Sequence, residues 1–491
     1  MASSDKHTRP SGRLRIERTV DGSPVAGVDT SALPSGSMRR IENHSRLHLR
    51  ADRYLWGIYI MLLIFSLVEL YSASSSEVSA DDIYKPLIQH AIFLFLGFGL
   101  VLVMQNIHYK YYRKLAWGFC ALSLGLVIYS NMYGEVLNGA IRSIRVAGIS
   151  IQPPEIAKLA MVLILARVMS KYQMRHGVTD RGIIISMIIL AVYSLLLYSN
   201  GFTNTLMLVC IAIAMLIIAG TQARKLGILA VIFAGVGLMI YETKFSDKPE
   251  ADSGGTATEI VESDNERSTD RTDLRKGRIA SFLEGVHPQD SLTDYNRQVI
   301  FAKMSQAHGG LFGNGPGNSR ESARLPLAYS DYIFSIIVED IGFAGGVALL
   351  VLYMLLLARA GAIAWKCNKA FPALLITGCA TLIALQALVH MAIVVGLSPV
   401  SGQPLPLISK GGSSILVMSA AIGMMLSVSK YAVQNSKKQT DTDIALRLAV
   451  EDSDDTSINP SQLTYENIAQ NTYSSLPDSD KPRRARQTNY R

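Results

Sequence analysis

Ten continuous apolar stretches constrain this chain more than any other feature of its sequence. A hydrocarbon core about 30 Å thick takes about 20 apolar residues to cross as a helix. Apolar and polar residues do not alternate within these stretches, as they would in a strand. Lipid cannot form the backbone hydrogen bonds that an open sheet would need, so the stretches predict transmembrane helices. They are residues 54–74, 87–105, 115–133, 156–172, 182–199, 202–220, 226–241, 333–358, 373–398 and 413–434. The sequence therefore predicts an all-α polytopic membrane protein with ten transmembrane helices.

Composition and charge agree with this class. Hydrophobic residues make up 49% of the 491-residue chain and charged residues 18%, and the mean hydropathy is +0.25, which exceeds what a soluble core needs. The net charge of +8 comes mainly from short connections between spans, and its basic residues are not interleaved with aromatic ones. The charge therefore fits retention of loops in the cytoplasm better than nucleic-acid binding.

The distribution of Lys and Arg predicts the orientation, because short loops rich in them stay in the cytoplasm. These residues cluster in the N-terminal tail and in the connections around 106–114, 167–181, 221–225 and 359–372, all on one side of the membrane. Both termini are therefore expected in the cytoplasm. The polar stretch 242–332, between spans 7 and 8, is expected to form a large extracytoplasmic loop.

Three polar segments are expected to lack regular structure. Residues 1–53 and 435–491 are rich in Ser, Asp, Arg and Pro without periodicity, which predicts disordered cytoplasmic tails around a membrane domain at 54–434. Residues 245–272 have the same character and are predicted to be a flexible insertion in the extracytoplasmic loop. The sequence assigns no role to these segments. The four cysteines have no metal-ligand spacing, and no metal site is predicted.

A lone aspartate, Asp331, stands where the extracytoplasmic loop meets the eighth span. Residues 298–308 before it have the pattern of a short amphipathic helix, and the glycine-rich run 309–317 permits close backbone approach, which suits a loop that wraps a ligand. An aspartate before an apolar run can cap the helix that follows, and it can equally act as a functional carboxylate at the membrane edge. The residues alone leave both interpretations open.

Two further polar features lie within the predicted spans. Glu155 and Lys158 are three residues apart, so they share a helix face and can pair. Such a pair either anchors its helix or forms the polar wall of an internal cavity, and the cavity is favoured because charges in spans usually face protein or water. Residues 398–414 contain prolines and paired glycines that forbid a regular helix, so this segment should be buried in protein or line a cavity.

Four motifs resemble the SEDS proteins, the FtsW, RodA and SpoVE group of bacterial cell-wall synthases. They occur in the family's order within residues 54–434: QPPEIAK at 152–158, GGLFGNGPGNS at 309–319, LPLAYSDYIFSIIVEDIG at 325–342 and PVSGQPLPLISKGGSS at 399–414. The resemblance implies a ten-span protein of the bacterial cytoplasmic (inner) membrane and a peptidoglycan glycosyltransferase that polymerises lipid II. It also implies a class B penicillin-binding transpeptidase and other divisome membrane proteins as partners.

The resemblance assigns site residues one by one. Asp331 matches the family's essential aspartate, although Leu327, Tyr329 and Ser330 replace the usual Glu, His and Thr before it. With Asp331 as general base, the expected substrate-binding residues are Arg142, Gln152, Glu155, Lys158, Arg278, Lys303, Gly310, Ser330, Ser409, Gly411 and Gly412.

Several positions depart from the family pattern. Ser143 stands where a tryptophan normally follows the arginine, and Gly201 and Phe202 replace a Pro-Asp pair of many RodA-type members. Pro154 replaces a serine and Lys410 a common tyrosine. These departures favour the FtsW branch and a role in cell division.

The chemistry implied by the resemblance follows from the bonds involved. A sugar hydroxyl must displace polyprenyl diphosphate from an anomeric carbon, so one carboxylate for the proton and cations for the diphosphate would suffice. The cations considered are Arg142, Lys158, Lys303 and Arg278, and a divalent cation, Mg²⁺ or Mn²⁺, is left open as a further partner. Glu339 lies eight residues beyond Asp331, about 12 Å along a helix. Glycosidase carboxylates are about 5 to 9.5 Å apart, so glycan hydrolysis is disfavoured.

Other functions stay open at this point. A lipid II flippase would equally need a polar cavity with Glu155 and Lys158. A scaffold would only recruit the transpeptidase, and a RodA-like synthase would serve elongation instead of division.

Overall fold

The computed structural model describes residues 51–75, 84–133, 135–137, 140–146, 149–174, 177–198, 201–222, 224–225, 227, 282, 297–321, 324–325, 329–399 and 401–451. The chain divides into two units, and the architecture below is that of the unit Leu49–Ser436; the other comprises Met1–His48 and Lys437–Arg491. The predicted span 226–241 apart from residue 227, the predicted insertion 245–272, the N-terminal tail to residue 50 and Arg278 lie outside the described residues.

Ten helices account for most of the described chain. They are α1 (Arg53–Ser75), α2 (Tyr84–Asn106), α3 (Tyr109–Tyr133), α4 (Pro153–Lys171), α5 (Asp180–Leu197), α6 (Phe202–Ile218), α7 (Arg297–Gly309), α8 (Ile333–Trp365), α9 (Ala370–Val395) and α10 (Gly412–Glu451). Nine of the ten predicted spans coincide with a helix, and α7 matches the short helix expected at 298–308. Seven of the described helices are long and apolar enough to cross a membrane. The chain is therefore a multi-pass membrane protein, with ten spans still a prediction.

Two predicted spans, α4 and α6, are not among those seven. Helix α6 has 17 residues, which makes it short for a span. Helix α4 carries Glu155, Lys158, Arg167 and Lys171 within 19 residues. It tolerates these charges because nearly all of its side chains are buried against other helices, so it needs no continuous apolar surface for lipid.

The prediction of an all-α fold is wrong for two short segments. Strands β1 (Glu135–Leu137), β2 (Ala140–Val146) and β3 (Ile149–Ile151) form an antiparallel three-stranded sheet between α3 and α4. Strands β4 (Gln173–Met174) and β5 (Gly177–Val178) form a second, two-stranded sheet. β-branched residues alternate with polar ones only over Ile144–Val146 and Ile149–Ile151, and so short a pattern gives a weak periodic signal.

The last helix extends further than expected. The membrane domain was predicted to end at residue 434, but α10 continues to Glu451, so the first part of the predicted disordered tail is helical. This stretch contains neither Gly nor Pro and includes good helix formers such as Ala, Leu, Arg and Lys, which allows the helix to propagate. The rest of the tail lies outside the described residues.

The helices converge on an enclosed centre. The span Gly412–Ala432 of α10 is 89% buried, whereas the span Leu87–Asn106 of α2 is 22% buried. Close contacts of small residues with α2 explain the central position of α10: a side chain at Gly423 would clash with Met104, and one at Gly97 would clash with Ser419. Helix α8 packs against α1, α7 and α9, and so joins α7 to the core.

An ion pair joins the start of α1 to the far end of α8. The Asp52 carboxylate accepts the backbone N–H groups of Tyr54 and Leu55 at 3.0 Å and therefore caps α1. Arg359 reaches the same carboxylate with Nη2–Oδ2 at 2.5 Å and Nε–Oδ1 at 3.1 Å, and its guanidinium lies 4.4 Å from the Tyr54 ring centroid. Burial alone would raise the pKa of Asp52, but the hydrogen bonds and charge of Arg359 and the two backbone donors outweigh it, and the pKa is lowered.

Stability should fall when Asp52 is protonated. A carboxyl group whose pKa is lower in the folded state stabilises the fold above its unfolded pKa, and that contribution is lost as pH falls through the folded value. We expect the melting temperature of the wild type to drop below about pH 4 more steeply than that of Asp52→Asn. At pH 7 the variant should be about 1–2 kcal/mol less stable. Asp180→Asn, at an exposed carboxylate, is the control; parallel melting curves for Asp52→Asn and wild type would contradict the assignment.

Candidate active site

The glycine-rich loop is joined to a break in helix α8. Gly342 has φ 81° and ψ 179° and interrupts the helix. The backbone N–H groups of Phe343 and Ala344 would normally bond to the carbonyls of residues 339 and 340. They instead donate to the Gly310 and Leu311 carbonyls at 2.9 and 3.1 Å. The Glu339 and Asp340 carbonyls accept from Asn314 and Gly315 at 3.0 and 2.8 Å. The loop thus satisfies the backbone that the break leaves open, as burial in a membrane protein requires.

The glycines are needed for this backbone contact. A Cβ atom at Gly309 would lie 1.9 Å from the Val338 carbonyl oxygen, and one at Gly313 would lie 2.2 Å from that of Asp340. The sequence predicts that the run 309–317 wraps a ligand. Over residues 309–315, the glycines instead approach the backbone of α8 closely. Gly310, an expected substrate-binding residue, is exposed and uses its carbonyl in this contact.

Replacing Gly313 with Ala should separate the loop from α8. Gly313 has φ +78°, and an added Cβ meets backbone, so the change combines left-handed strain with a clash. We expect a loss of about 2–4 kcal/mol of stability. Gly310→Ala is the matched control, because Gly310 also has positive φ but nothing lies within 4 Å of its added Cβ, and about 1 kcal/mol is expected. Equal melting temperatures for the two variants would show that the loop does not need this contact.

The acidic residues Glu339 and Asp340 of α8 accept hydrogen bonds from α7, from the segment after the glycine-rich run and from α1. The Glu339 carboxylate accepts hydrogen bonds from the Ser305 and Ser319 hydroxyls, each at 2.7 Å, and from the Arg320 backbone N–H at 2.8 Å. Asp340 accepts from the Ser72 hydroxyl of α1. Glu339 is fully buried and saturated with partners, so it is a structural group that fixes the loop and α7.

A second carboxylate, Glu69 of α1, faces Asp340. Glu69 is fully buried and near enough to Asp340 for their charges to interact. Neither of its carboxylate oxygens has a hydrogen-bond partner within the described residues, and one oxygen of Asp340 also lacks one. Such burial is costly for a charged group. This acidic pair lies on α1 and α8, and the family motifs do not predict it.

Asp331 lies just before the start of α8 and is half-buried. The N-cap of the helix is Tyr332, whose side chain makes no capping hydrogen bond. Asp331 therefore stands one residue before the N-cap, and its role as a functional carboxylate stays a prediction. The Ser335 hydroxyl donates to the Tyr332 carbonyl at 2.7 Å, which holds the first turn of α8 immediately after Asp331.

The segment that carries Asp331 is bound to the irregular loop 401–411. The Ser409 hydroxyl donates to the Ser330 carbonyl at 2.7 Å and accepts the Leu405 backbone N–H at 2.7 Å. The Lys410 backbone N–H donates to the Tyr329 carbonyl at 2.9 Å, and the Lys410 ammonium lies 4.3 Å from the Tyr329 ring centroid. The structure therefore brings together Asp331 and two of the predicted residues, Ser330 and Ser409. It adds Lys410, a cation at a position where the family commonly has a tyrosine.

Glu155 and Lys158 form a hydrogen-bond network with side chains of α9 and of this loop. Lys158 is fully buried, and its ammonium donates to Glu155 at 2.7 Å, to Gln386 at 2.7 Å and to Gln403 at 3.4 Å. The Gln386 amide donates to Glu155 Oε2 at 3.4 Å and to the Pro404 carbonyl at 3.2 Å. The predicted pair is thus present, and it binds α4 to α9 and to the loop 401–411. That Glu155 and Lys158 form the wall of an internal cavity stays a prediction, because these contacts are all with protein groups.

The other predicted site residues lie on different elements of the fold. The Gln152 backbone N–H donates to the Ser413 hydroxyl at 3.1 Å, which joins α4 to the start of α10 beside Gly411 and Gly412. Lys303 is exposed, and its side chain passes within 4 Å of the Cβ position of Gly396, at the carboxyl end of α9. Arg142 lies in strand β2. Among the described residues no group of three His, Cys, Asp or Glu side chains is arranged to hold a metal ion.

Several known proteins resemble this chain. A family model described as Cell cycle protein, which covers FtsW, RodA and SpoVE, matches residues 52–434. The chain is 29% identical over 402 residues to the probable peptidoglycan glycosyltransferase FtsW of Geobacter sp. (strain M18), with 80% of this chain and 98% of that protein covered. It is 31% identical over 386 residues to the protein of the same name in Trichlorobacter lovleyi, with 77% and 93% covered. Stage V sporulation protein E of Bacillus subtilis is 29% identical over 389 residues, with 78% and 97% covered.

Two solved structures share the fold. A chain from a structure of the coordination of polymerization and crosslinking by a peptidoglycan synthase complex superposes with a TM-score of 0.60 at 24% identity, covering 78% of this chain and 99% of that one. The rod shape determining protein RodA of Thermus thermophilus superposes with a TM-score of 0.54 at 22% identity, covering 79% and 99%. These similarities extend over the whole membrane unit described above.

Proposed function

Because the chain belongs to the FtsW, RodA and SpoVE family of cell cycle proteins, we propose that it is a peptidoglycan glycosyltransferase that polymerises lipid II. The observation that carries this proposal is the similarity to relatives named peptidoglycan glycosyltransferase over 93–98% of their length. The half-buried carboxylate of Asp331, just before the start of α8, supports it, since the reaction needs a base.

Asp331 acts as the general base in this proposal. The acceptor sugar hydroxyl loses its proton to the carboxylate while its oxygen bonds to the anomeric carbon of the donor. The bond from that carbon to the polyprenyl diphosphate breaks, and the diphosphate leaves with the electron pair. The leaving group is already ionised at neutral pH, so it needs neutralisation by cations more than protonation.

Lys410 is the cation that this site offers beside the base. Its backbone and its ammonium both contact Tyr329, two residues before Asp331. We assign it to the diphosphate, with Arg142 and Arg278 as further candidates from the family resemblance. Lys158 is assigned instead to holding the loop 401–411, because its buried ammonium donates to three protein side chains. Glu155, Gln152, Ser409, Gly411 and Gly412 then support the site through the same loop, and Lys303 and Gly310 through α7 and the glycine-rich loop.

Hydrolysis of glycans has less support than synthesis. A glycosidase needs a second carboxylate that can exchange protons or attack the sugar. Glu339, the next acidic residue along α8, is fully buried and accepts three hydrogen bonds from the loop and α7. It is therefore unsuited to act with Asp331.

Polymer formation tests the proposed function directly. The purified full-length protein is incubated in proteoliposomes with lipid II, with and without a class B transpeptidase, and the products are separated by size. We expect glycan chains, because the same site supplies the base and the cation. Lipid translocation without polymer would identify a flippase, and neither activity in the presence of the partner would identify a scaffold; each result would overturn the proposal.

The cellular role proposed is septal synthesis during division, in complex with a class B penicillin-binding transpeptidase. The replacement of the Pro-Asp pair by Gly201 and Phe202 and the relatives named FtsW support division over elongation. A fluorescent fusion should concentrate at the septum, with both termini in the cytoplasm, and depletion should block division. A fusion along the side wall, with loss of cell shape on depletion, would assign the chain to elongation.

A further inference from the structure

A basic cavity lies between three helix ends, away from Asp331 and the loop 401–411. It has a volume of about 150 Å³, and its lining includes Lys110, Arg113, Lys369, Ser170, Tyr109 and Phe371. These residues come from the first turns of α3 and α9 and the last turn of α4. The volume is several times the share of one water molecule in the liquid, about 30 Å³. The cavity can therefore admit a small polar group.

The charge of the basic cavity favours an anion. Three of its lining side chains are cations, and none is a carboxylate. Lys110, Arg113 and Lys369 pair with no acidic group within the described residues. Three like charges around one concavity repel one another, and an anion between them would remove that repulsion.

The backbone around the basic cavity favours the same charge. Helix α9 begins at Ala370, and its N-cap, Lys369, makes no side-chain capping hydrogen bond. Helix α3 begins at Tyr109 beside it, where the Lys110 backbone N–H donates to His108 Nδ1 at 3.2 Å and the helix contributes the positive end of its dipole. The first N–H groups of a helix have no acceptor within the helix, and the helix dipole is positive at this end. Two helix starts and three cations thus act on one small space.

The position of the basic cavity indicates which anion it takes. Lys110, Arg113 and Lys369 belong to the connections that the positive-inside rule assigns to the cytoplasmic surface, at the ends of membrane helices. Phospholipid headgroups lie at this level, and basic pockets between transmembrane helices on the cytoplasmic side bind anionic ones. Phe371 and Tyr109 give the cavity apolar surface beside the cations, which suits the glycerol and upper acyl chain of a lipid. We propose that the basic cavity binds the phosphate group of an anionic phospholipid headgroup.

Such a lipid would join the helices that hold the proposed active site. Arg167 of α4 already donates to the backbone carbonyls of Arg113 and Lys114 in α3 at the edge of this region. Helix α4 also carries Lys158, and α9 carries Gln386. A phosphate bound between α3, α4 and α9 would therefore stabilise the assembly from the cytoplasmic side, independently of the catalytic activity.

Lipid titration of two triple variants tests the inference. The full-length protein in a zwitterionic detergent is titrated with phosphatidylglycerol, phosphatidylcholine or inorganic phosphate, and binding is read from the melting temperature. We expect phosphatidylglycerol alone to raise the melting temperature at micromolar concentration. The variant Lys110→Ala/Arg113→Ala/Lys369→Ala should bind it about 100-fold more weakly, since each cation near an anionic headgroup contributes about 1 kcal/mol.

The matched control is Arg181→Ala/Arg224→Ala/Lys366→Ala. It removes the same charge from exposed residues that do not line the basic cavity, and we expect phosphatidylglycerol binding within threefold of the wild type. Equal losses in the two triple variants would show that general surface charge attracts the lipid and would overturn the inference. Stabilisation by inorganic phosphate at the same concentration would also overturn it, in favour of a soluble anion.

A histidine beside the basic cavity gives a second readout. Burial lowers the pKa of His108, and the charges of Lys110 and Lys369 lower it further. His108 lies against the rings of Tyr109 and Tyr431 and does not need to touch the lipid. A bound phosphate would offset the two cations, so phosphatidylglycerol should raise the pKa of His108, measured by NMR of labelled imidazole and assigned with His108→Gln. An unchanged pKa at saturating lipid would exclude a phosphate in the cavity.

Discussion

Asp331→Asn is expected to abolish the formation of glycan chains from lipid II, with a loss of at least about 100-fold in rate, since general bases contribute about 10² to 10⁴. The amide has the size of the carboxylate but cannot take the proton of the acceptor hydroxyl. The fold should not change, because the substitution is isosteric and the N-cap position of α8 belongs to Tyr332, whose carbonyl accepts from the Ser335 hydroxyl. The melting temperature should therefore stay within a few degrees of the wild type.

Two further variants sharpen this result. Asp331→Glu retains a carboxylate at a shifted position and should keep part of the activity, with a pH dependence that the Asn variant lacks. Asp180→Asn makes the same isosteric change at an exposed carboxylate at the start of α5 and should polymerise normally. Full activity of Asp331→Asn would remove Asp331 from the role of base, whereas the family membership and the proposed reaction would still stand.

The sequence predicts the helices well because lipid imposes a strong pattern on them. Nine of the ten predicted spans are helices, and the short helix before the glycine-rich loop is also present as α7. The same rule identifies α4 less clearly, because this helix carries the charged residues Glu155 and Lys158, which are buried inside the protein. The three-stranded sheet at 135–151 was missed, because strands of three to seven residues give too few repeats for a period to stand out.

The site could be predicted from the sequence only where a charged residue stands out beside or within an apolar span. Asp331 is singled out by position and resemblance, and Glu155 and Lys158 by helical spacing. The partners of the glycine-rich loop depend on the break at Gly342, which nothing in the local sequence distinguishes from the neighbouring glycines Gly345 and Gly346. Two further contacts join segments that are far apart in the chain, so a local sequence pattern could not predict them. They are the contact of Lys410 with Tyr329 and the proximity of Glu69 to Asp340.

Lys158→Met should produce the largest loss of stability among the variants considered, about 3–5 kcal/mol, because it leaves the Glu155 carboxylate buried without its cation. The double variant Glu155→Gln/Lys158→Met removes both charges and lets the amides of Gln386 and Gln403 rotate to new partners. It should be about 2 kcal/mol more stable than the sum of the single changes predicts. Thermal melting of the four proteins measures this coupling.

The exposed pair of Lys225 and Asp180 is the matched control for that cycle, since its side chains are 35% and 74% exposed against 0% and 3% for Lys158 and Glu155. Its coupling should stay below about 1 kcal/mol. Activity then separates two roles for Lys158. If it positions the loop 401–411, the double variant should regain polymerisation together with stability. A stable double variant that makes no polymer would instead show that Lys158 contacts the diphosphate, and Lys410 would lose its place as the principal cation beside Asp331.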